Sequence, residues 1–446
     1  MNSLRETLSH LIPCSIKNMF DGDVYAVGGC VRDTLMGREI NDVDLCTSMK
    51  PDDVIALCKK NNIKTYPTGI KYGTVTIVLE NGSYQVTTFR NEIEHGRHPV
   101  VQFSTTIDTD LSRRDFTMNA IAVDVDGYII DPFNGFADIQ AKTIRCVGNP
   151  CERFVEDFLR IIRAARFAST LGFHFHNDTI IAMHIICEAL DICKEISIER
   201  IVMETQKVFT HSNSPSKYLQ MLWDLGIFQS LIPEMENADD LIQNPHYHPE
   251  GSVWKHTLEA VDRCEPKYRW NALFHDIGKC KVAELNEHGY YDFNSHDEAG
   301  AEMIWPIGSR LHLPLALEAS IELTTLLHMR PLSISQSSKI TGRAIRRLRH
   351  DAGEKHIEAL EAVVRADGGN RYNKEWDAIW DYVPKKEEAT PALMGRHLIE
   401  KGYEEGPEIG SILRVAHDRQ IDTGETDIDV LYSFAIDSVI TKEETI

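Results

Sequence analysis

The chain has 446 residues, 42% of them hydrophobic, with 47 basic against 68 acidic side chains and a formal net charge of −21. That length exceeds one compact domain and implies roughly two to four. The acidity excludes broad, unspecific nucleic-acid binding but leaves room for a nucleic acid held by a local basic patch. No apolar run approaches the roughly 20 residues that span a bilayer.

The N-terminal stretch MNSLRETLSHLIPCSIKNMF is amphipathic and lacks the apolar centre and cleavage site of a secretory leader. The ten cysteines are scattered, with no Cys-x-x-Cys pair. They read as free thiols of a protein in the reducing cytoplasm.

Residues 1–147 alternate strand and helix patterns. DGDVYAVGG reads as a strand ending in a glycine turn, and CVRDTLMG as a short helix stopped at Gly37. DVDLCTS is the next strand, and PDDVIALCKKNN a helix opened by Pro51. GTVTIVLENGSYQVTTFR is two β-branched runs around Asn81-Gly82, a hairpin signal. NAIAVDVDGYIIDPFNG reads as a further strand pair. From about residue 150 the patterns are helical. The expected fold class is α+β: a head with a mixed sheet and helices, followed by an all-α remainder.

Asp42 and Asp44 are spaced to share one face of a strand. Two like charges at that range call for a cation or a donor cluster. Carboxylates are the preferred protein ligands of Mg²⁺, usually together with substrate phosphates. The alternative is a solvated edge strand. The order of the preceding residues favours the metal. Gly28 and Gly29 end a strand just before a helix, where bare backbone lets a phosphate approach, and Arg32 follows one turn later. A phosphate cradle beside a carboxylate pair is what a nucleoside triphosphate with Mg²⁺ requires. Glu92 is a candidate for a third carboxylate.

Further on, Glu156, Asp157, Arg160 and Arg163 read as one polar stripe of a helix beginning at Glu156. An i,i+3 salt bridge between Asp157 and Arg160 would make this an ordinary surface helix. Base chemistry offers another use. Cytosine and adenine both present an amino donor beside a ring-nitrogen acceptor, whereas uracil and guanine present a carbonyl beside an N–H. A carboxylate that accepts from the amino group and an arginine that donates to the ring nitrogen admit C and A. They reject U and G by leaving polar groups unpaired.

A separate constellation begins at HPEGSVWKHTLEAVD. His256 precedes His275-Asp276 by 19 residues, and His296, His328 and Asp367 come later. Imidazoles with carboxylates hold Mn, Fe, Ni, Zn or Mg, so the donor set leaves the metal open. KITGRAIRRLRH, from Lys339 to His350, is a basic helical run that reads either as a nucleic-acid patch or as a solvated face.

AVGGCVRDTLMGREINDVDLCTS resembles the signature of the class II tRNA nucleotidyltransferase and poly(A) polymerase family, a branch of the polymerase-β-like nucleotidyltransferases. The resemblance continues through RRDFTMNAIA, DPFNGFADI, EDFLRIIRAARFASTLGF and ISIERIVMET, and covers the first 230 or so residues densely. It implies a polymerase-β-like head, Asp42 and Asp44 as catalytic Mg²⁺ ligands, and transfer of nucleotides to an RNA 3′ end. It also implies triphosphate contacts from Gly28, Gly29 and Arg32. Arg113 and Arg114 would lie near the phosphates, with the inward-pointing one undetermined. Asp115 and Asn119 would hold the ribose hydroxyls. Asp157 and Arg160 would select C and A, with Arg163 and Arg166 completing the pocket. Asp131, Pro132, Gly135 and Asp138 match the family's flexible-loop motif, which members that add only CC typically lack.

TGIKYGTVTIVLENG follows the CCA-adding pattern rather than the basic element of poly(A) polymerases. MGRHLIEKGYEEGPEIGSILRVAHDRQ, from Met394 to Gln420, resembles the tRNA-gripping tail of bacterial CCA-adding members. The His and Asp constellation resembles an HD-superfamily phosphohydrolase, with His256, His275, Asp276 and Asp367 as ligands and His296 and His328 available for a second metal. In related CCA-adding enzymes such a domain is a phosphatase and 2′,3′-cyclic phosphodiesterase.

The resemblance therefore implies a head at 1–147, a neck and body at 148–240, an HD domain at 241–372 and a helical tail at 373–446. The expected partners are tRNA, ATP and CTP, without DNA or membrane. The expected cofactors are Mg²⁺ and a second divalent metal (Ni, Mn, Fe or Mg) at the HD site. The alternatives are poly(A) or partial A or CC addition, or an HD hydrolase with a regulatory nucleotide-binding head. The oligomeric state is left open by the sequence.

Overall fold

The computed structural model describes residues 2–40, 42–94, 100–336, 340–369, 372, 376–381 and 390–443. Asn41, Lys339 and the side chain of Glu92 lie outside the described residues. The chain divides into two compact units, Met1–Leu231 and Ile232–Ile446. That division falls inside the expected 148–240 segment.

The first unit is α+β. Its strands are β1 (Tyr25–Val27), β2 (Asp44–Thr47), β3 (Lys64–Gly69), β4 (Thr74–Leu79), β5 (Gly82–Thr88), β6 (Arg90–Glu94), β7 (Val100–Phe103), β8 (Ala122–Val123) and β9 (Ile129–Ile130). Seven form one mixed sheet in the order β3-β4-β5-β2-β1-β8-β9, and β6 pairs with β7 separately. β2 runs parallel to β5, and the other pairs in this sheet are antiparallel.

The β4–β5 hairpin closes with Leu79 opposite Gly82. Its two-residue loop is therefore Glu80-Asn81, one position earlier than the Asn-Gly signal. Gly82 still carries the positive φ, +146°. One face of the sheet is closed by Val27, Cys46, Phe89, Leu111, Ala120, Ala122 and Val147.

The central pairing positions the site. β1 and β2 are antiparallel with Ala26 opposite Leu45. The next step brings Val27 level with Asp44, so the glycine turn after Val27 lies beside the first residue of β2. Further along the chain, the Leu159–Leu171 helix packs against Ile198–His211 and Pro215–Asp224.

The residues that the resemblance matches to a flexible-loop motif form a hydrogen-bonded turn leading into the helix Gly135–Gln140. Asp131 accepts from Gly135 N at 2.7 Å and Phe136 N at 2.9 Å, and Asp138 accepts from Thr117 Oγ1 at 2.7 Å. A Cβ on Gly135 would lie 2.0 Å from Thr117 O. Only glycine fits there.

The second unit is mainly helical and includes a small hairpin, Glu284–Leu285 against Tyr291–Asp292. Leu327, Leu348, Leu360, Val364, Trp376 and Ile379 belong to one core cluster. Leu393, Leu398, Ile412, Ala416, Leu431 and Ala435 belong to another. The basic run forms the helix Gly342–Ala352, and its arginines are largely neutralised. Arg343 pairs with Asp422, Arg347 with Asp418 and Asp422, and Arg349 with Glu354.

Candidate functional site

In the first unit a cavity of about 480 Å³ is lined by the glycine turn, Arg32, Asp44, Arg113, Arg114, Asp115, Asn119, Asp157, Arg160, Arg163 and Arg166. These residues come from four separate stretches of sequence. Asp42, the other member of the aspartate pair, is missing from this lining. β2 begins at Asp44, so Asp42 lies on the segment leading into the strand rather than within it. The two still interact. Partial withdrawal from water raises the Asp44 pKa, Arg114 opposes this, and the like charge of Asp42 adds to it.

Gly28 has φ +78°, a conformation that favours glycine. A Cβ there would lie 2.6 Å from Arg114 Nη1. Arg114 is thus the arginine of the pair that touches the glycine turn and influences Asp44, while both line the cavity. Asp110, almost fully buried, accepts from Arg113 at 2.7 Å and from Arg114 at 3.2 Å, fixing their directions.

A buried chain of polar contacts crosses the floor. Arg32 Nη1 donates to Asn119 Oδ1 at 2.7 Å, and Asn119 Nδ2 donates to Asp115 Oδ1 at 3.0 Å. Arg163 donates to Asp115 Oδ2 at 2.9 and 2.7 Å. Burial would raise the Asp115 pKa. The charge of Arg163 and the donors around the carboxylate overcome it and bring the value to about 2.

The expected stripe from Glu156 to Arg163 is interrupted. The helix Pro150–Glu156 ends where Asp157 turns extended, with φ −155° and ψ 102°, and a second helix runs from Leu159 to Leu171. Asp157 Oδ1 accepts from Leu159 N at 3.2 Å, capping the new helix. The Asp157–Arg160 salt bridge of the alternative reading, a surface helix, does not form. Asp157 instead accepts from Arg200 at 3.2 and 2.8 Å. Arg160 donates to Glu156 at 2.6 Å and to the carbonyls of Arg153 and Arg113 at 3.0 and 3.1 Å. The physical reason is that an aspartate serves the first turn of a helix better than its interior.

Sequence reading missed Arg200, Phe167 and Glu204. Arg200 and Phe167 line the cavity. Arg32, Arg163 and Arg166 lie 5.0, 5.5 and 4.0 Å from the Phe167 ring centroid. Glu204, 3% exposed, pairs with Arg166 and, at 2.8 Å, with Lys207. The available signal was helical spacing: Phe167 stands four residues after Arg163, and Glu204 four after Arg200.

The second unit holds its own cluster, brought together from separate helices. Asp276 lies at its centre. Its Oδ2 is 3.4 Å from His256 Nε2 and 3.3 Å from His275 Nε2. Its Oδ1 is 3.4 Å from the Nε2 atoms of both His296 and His328. Asp367 Oδ1 is 3.0 Å from His256 Nε2. The two histidine pairs, His256 with His275 and His296 with His328, each have Nε2 atoms 3.3 Å apart.

Every outer ring nitrogen is anchored. The Nδ1–H groups of His275, His296 and His328 donate to carbonyls three residues back, those of Ala272, Phe293 and Thr325, at 2.8, 2.8 and 2.7 Å. His256 Nδ1 contacts Glu250 Oε1 at 2.6 Å. A carbonyl only accepts, so these bonds place a proton on Nδ1 and turn Nε2 inward. Two inward lone pairs at 3.3 Å require a cation or a proton between them. Burial would lower the His256 pKa, but Asp367 and Glu250 lift it to about 9. Asp276 is held below the carboxylate range: burial opposes this, and Lys279, at 2.6 Å, and the imidazoles override it. The donor set fits two divalent cations sharing the Asp276 carboxylate. This cluster adjoins a cavity of about 680 Å³.

Two family models match the chain: the poly A polymerase head domain over residues 24–145, and the probable RNA and SrmB-binding site of polymerase A over residues 172–239. The CCA-adding enzyme of Levilactobacillus brevis is 32% identical over 394 residues, covering 88% of this chain and 87% of its own. The chain belongs to the CCA-adding enzyme family. Another member of that family, from Geobacillus thermodenitrificans, is 48% identical over 259 residues, covering 57% of this chain and 59% of its own. The Bacillus stearothermophilus CCA-adding enzyme, solved in complex with CTP, superposes with a TM-score of 0.70 at 28% identity, over 100% of both chains. No described helix is long and apolar enough to cross a membrane.

Proposed function

We propose that the chain adds the 3′-terminal CCA to tRNA from CTP and ATP without a nucleic-acid template. The observation that carries this is a single cavity lined by Asp44, the glycine turn, Asp115 with Asn119, and Asp157 with Arg160. This reading takes metal, triphosphate, ribose and base contacts from the lining of that one cavity.

The glycine turn and Arg32 receive the triphosphate, with Arg114 fixed beside them. Asp115 and Asn119 receive the ribose hydroxyls. Asp157 accepts from the amino group of C or A, Arg160 donates to the ring nitrogen, and Arg163 and Arg166 complete the wall. Arg200 holds the plane of the Asp157 carboxylate. Asp42 and Asp44 would hold Mg²⁺, which supplies charge neutralisation on the triphosphate and activation of the RNA 3′ hydroxyl.

The same reading assigns a head to 1–147, a neck and body to 148–240, an HD domain to 241–372 and a tRNA-binding tail to 373–446, with the cytoplasm as the site of action. Incubating a tRNA transcript that lacks CCA with each nucleotide, singly and mixed, tests it. The expected product ladder is C, C, then A. Long A tails without use of CTP would defeat it.

The Asp276 cluster supports a second activity, hydrolysis of phosphoesters. His256, His275 and Asp367 with Asp276 would hold one divalent metal, and His296 and His328 with Asp276 a second, supplying Lewis acidity and an activated water. Lys279 adds a fixed positive charge. The substrates are 2′,3′-cyclic or terminal phosphates, and the activity is tested on 2′,3′-cAMP with Ni²⁺ or Mn²⁺. An inert wild type would make the cluster structural.

A further inference from the structure

The four histidines around Asp276 are aimed in two different ways. His275, His296 and His328 each donate from Nδ1 to a backbone carbonyl three residues back, at 2.7–2.8 Å. His256 does not. The carbonyl three residues before it, that of Val253, accepts from Thr257 Oγ1 at 2.9 Å. His256 Nδ1 instead meets Glu250 Oε1 at 2.6 Å. That acceptor is a carboxylate rather than a neutral carbonyl, and it comes from the loop before the helix Val253–Arg263.

The same Glu250 oxygen lies 3.0 Å from His248 Nδ1. The His248 and His256 rings meet edge to face, with centroids 4.8 Å apart. His256 is fully buried and the Glu250 side chain is 9% exposed. His248, Glu250 and His256 thus form a further cluster of donors. A contact of 2.6 Å marks a hydrogen bond rather than a third cation site, because at metal–ligand lengths of about 2.0–2.2 Å two donors on one ion stand roughly 3 Å or more apart.

The loop that delivers Glu250 is closed by its own backbone. Gly251 has φ +102°, a conformation that favours glycine. Its carbonyl accepts from Gln243 N at 2.9 Å, and its N–H donates to His248 O at 3.1 Å. None of these bonds uses the Glu250 side chain, so its role is separable from that of the loop.

We propose that Glu250 is a positioning residue for the metal position formed by His256, His275 and Asp367. It fixes the ring and tautomer of His256 so that Nε2 faces Asp276, and its charge makes that imidazole a stronger donor than one backed by a carbonyl. The two metal positions therefore differ, and Glu250 acts on one of them. This rests on the two-metal reading of the cluster and adds what orients it.

The test is calorimetric titration of Mn²⁺ into the metal-stripped full chain. Wild type is expected to take up two equivalents. Glu250→Ala should weaken one of them by at least tenfold, the lower end for loss of such a partner, and leave the other within twofold. Glu250→Leu, which fills the space without an acceptor, should match it. Glu250→Gln should recover most of the loss, since an amide oxygen still accepts from Nδ1–H. His248→Ala disturbs the same loop but keeps the Glu250–His256 bond, and should stay within threefold of wild type. With Co²⁺ as the probe, the visible absorption of one equivalent should shift in Glu250→Ala and not in His248→Ala.

Equal weakening of both positions, a Gln variant as weak as Ala, or a loss in His248→Ala as large as in Glu250→Ala overturns the proposal. Hydrolysis of 2′,3′-cAMP by the same preparations separates it from the hydrolase reading. Glu250-dependent Mn²⁺ binding without hydrolysis defeats the hydrolase and upholds the positioning role. Hydrolysis with Mn²⁺ binding indifferent to Glu250 defeats the positioning role alone.

Discussion

Arg200 holds Asp157 through both carboxylate oxygens, at 3.2 and 2.8 Å. The carboxylate proposed to select the base is therefore aimed from a different helix than the one that carries Arg160. Arg200→Ala leaves Asp157 on the chain but removes what orients it. The expected result is a roughly tenfold loss of kcat/KM for CTP and ATP, with increased incorporation of UTP and GTP. Single-nucleotide addition assays would show this. Unchanged selectivity would mean that capping of the Leu159 helix alone fixes Asp157.

Asp42→Ala or Asp44→Ala should abolish nucleotide addition while leaving hydrolysis of 2′,3′-cAMP intact, because the Asp276 cluster has its own ligands. Parallel loss of both activities would point to misfolding or to a shared site, and circular dichroism distinguishes these.

Gly28→Ala places a Cβ at φ +78° and 2.6 Å from Arg114 Nη1. Arg114 must move, and with it the positive charge beside Asp44. We expect KM for both nucleoside triphosphates to rise at least tenfold, at a stability cost on the order of 1 kcal/mol for the strained backbone. A wild-type KM would show that the turn does not receive the triphosphate.

The folded-state pKa of Asp115 is about 2, against an ordinary value of 3.8. A depressed carboxylate stabilises the fold fully above its unfolded value and loses that contribution as pH falls through its folded one. Asp115 therefore contributes about 2 kcal/mol near neutrality, lost between about pH 4 and pH 2. Asp115→Asn should lower Tm at pH 7 and flatten the acid limb of the stability curve in that window. A variant that tracks wild type there would refute the pairing with Arg163.

His328→Ala should reduce bound divalent metal from two equivalents to one, whereas Asp276→Asn should lower both occupancies, because only Asp276 faces both histidine pairs. Metal analysis after dialysis reads this directly. Equal retention in the two variants would exclude a shared carboxylate.

Much of the site was legible in the sequence because its signals are local. A glycine pair between strand and helix, two aspartates one residue apart, and the adjacent His275 and Asp276 each carry chemistry within a few residues. The α+β head and the helical remainder follow from periodicity alone.

Tertiary structure decided the partners. Asp157 pairs with Arg200 rather than with Arg160, because the chain breaks at Asp157 to start a new helix. Arg114 rather than Arg113 touches the glycine turn, because shared Asp110 fixes both directions. The six side chains of the Asp276 cluster lie up to 111 residues apart, from His256 to Asp367, and helix packing brings their Nε2 and carboxylate atoms within 3.0–3.4 Å. The sequence by itself determined which groups are present. Which groups meet was decided by long-range packing, since an ion pair or metal set forms by proximity in space and leaves no trace of its partner in local pattern.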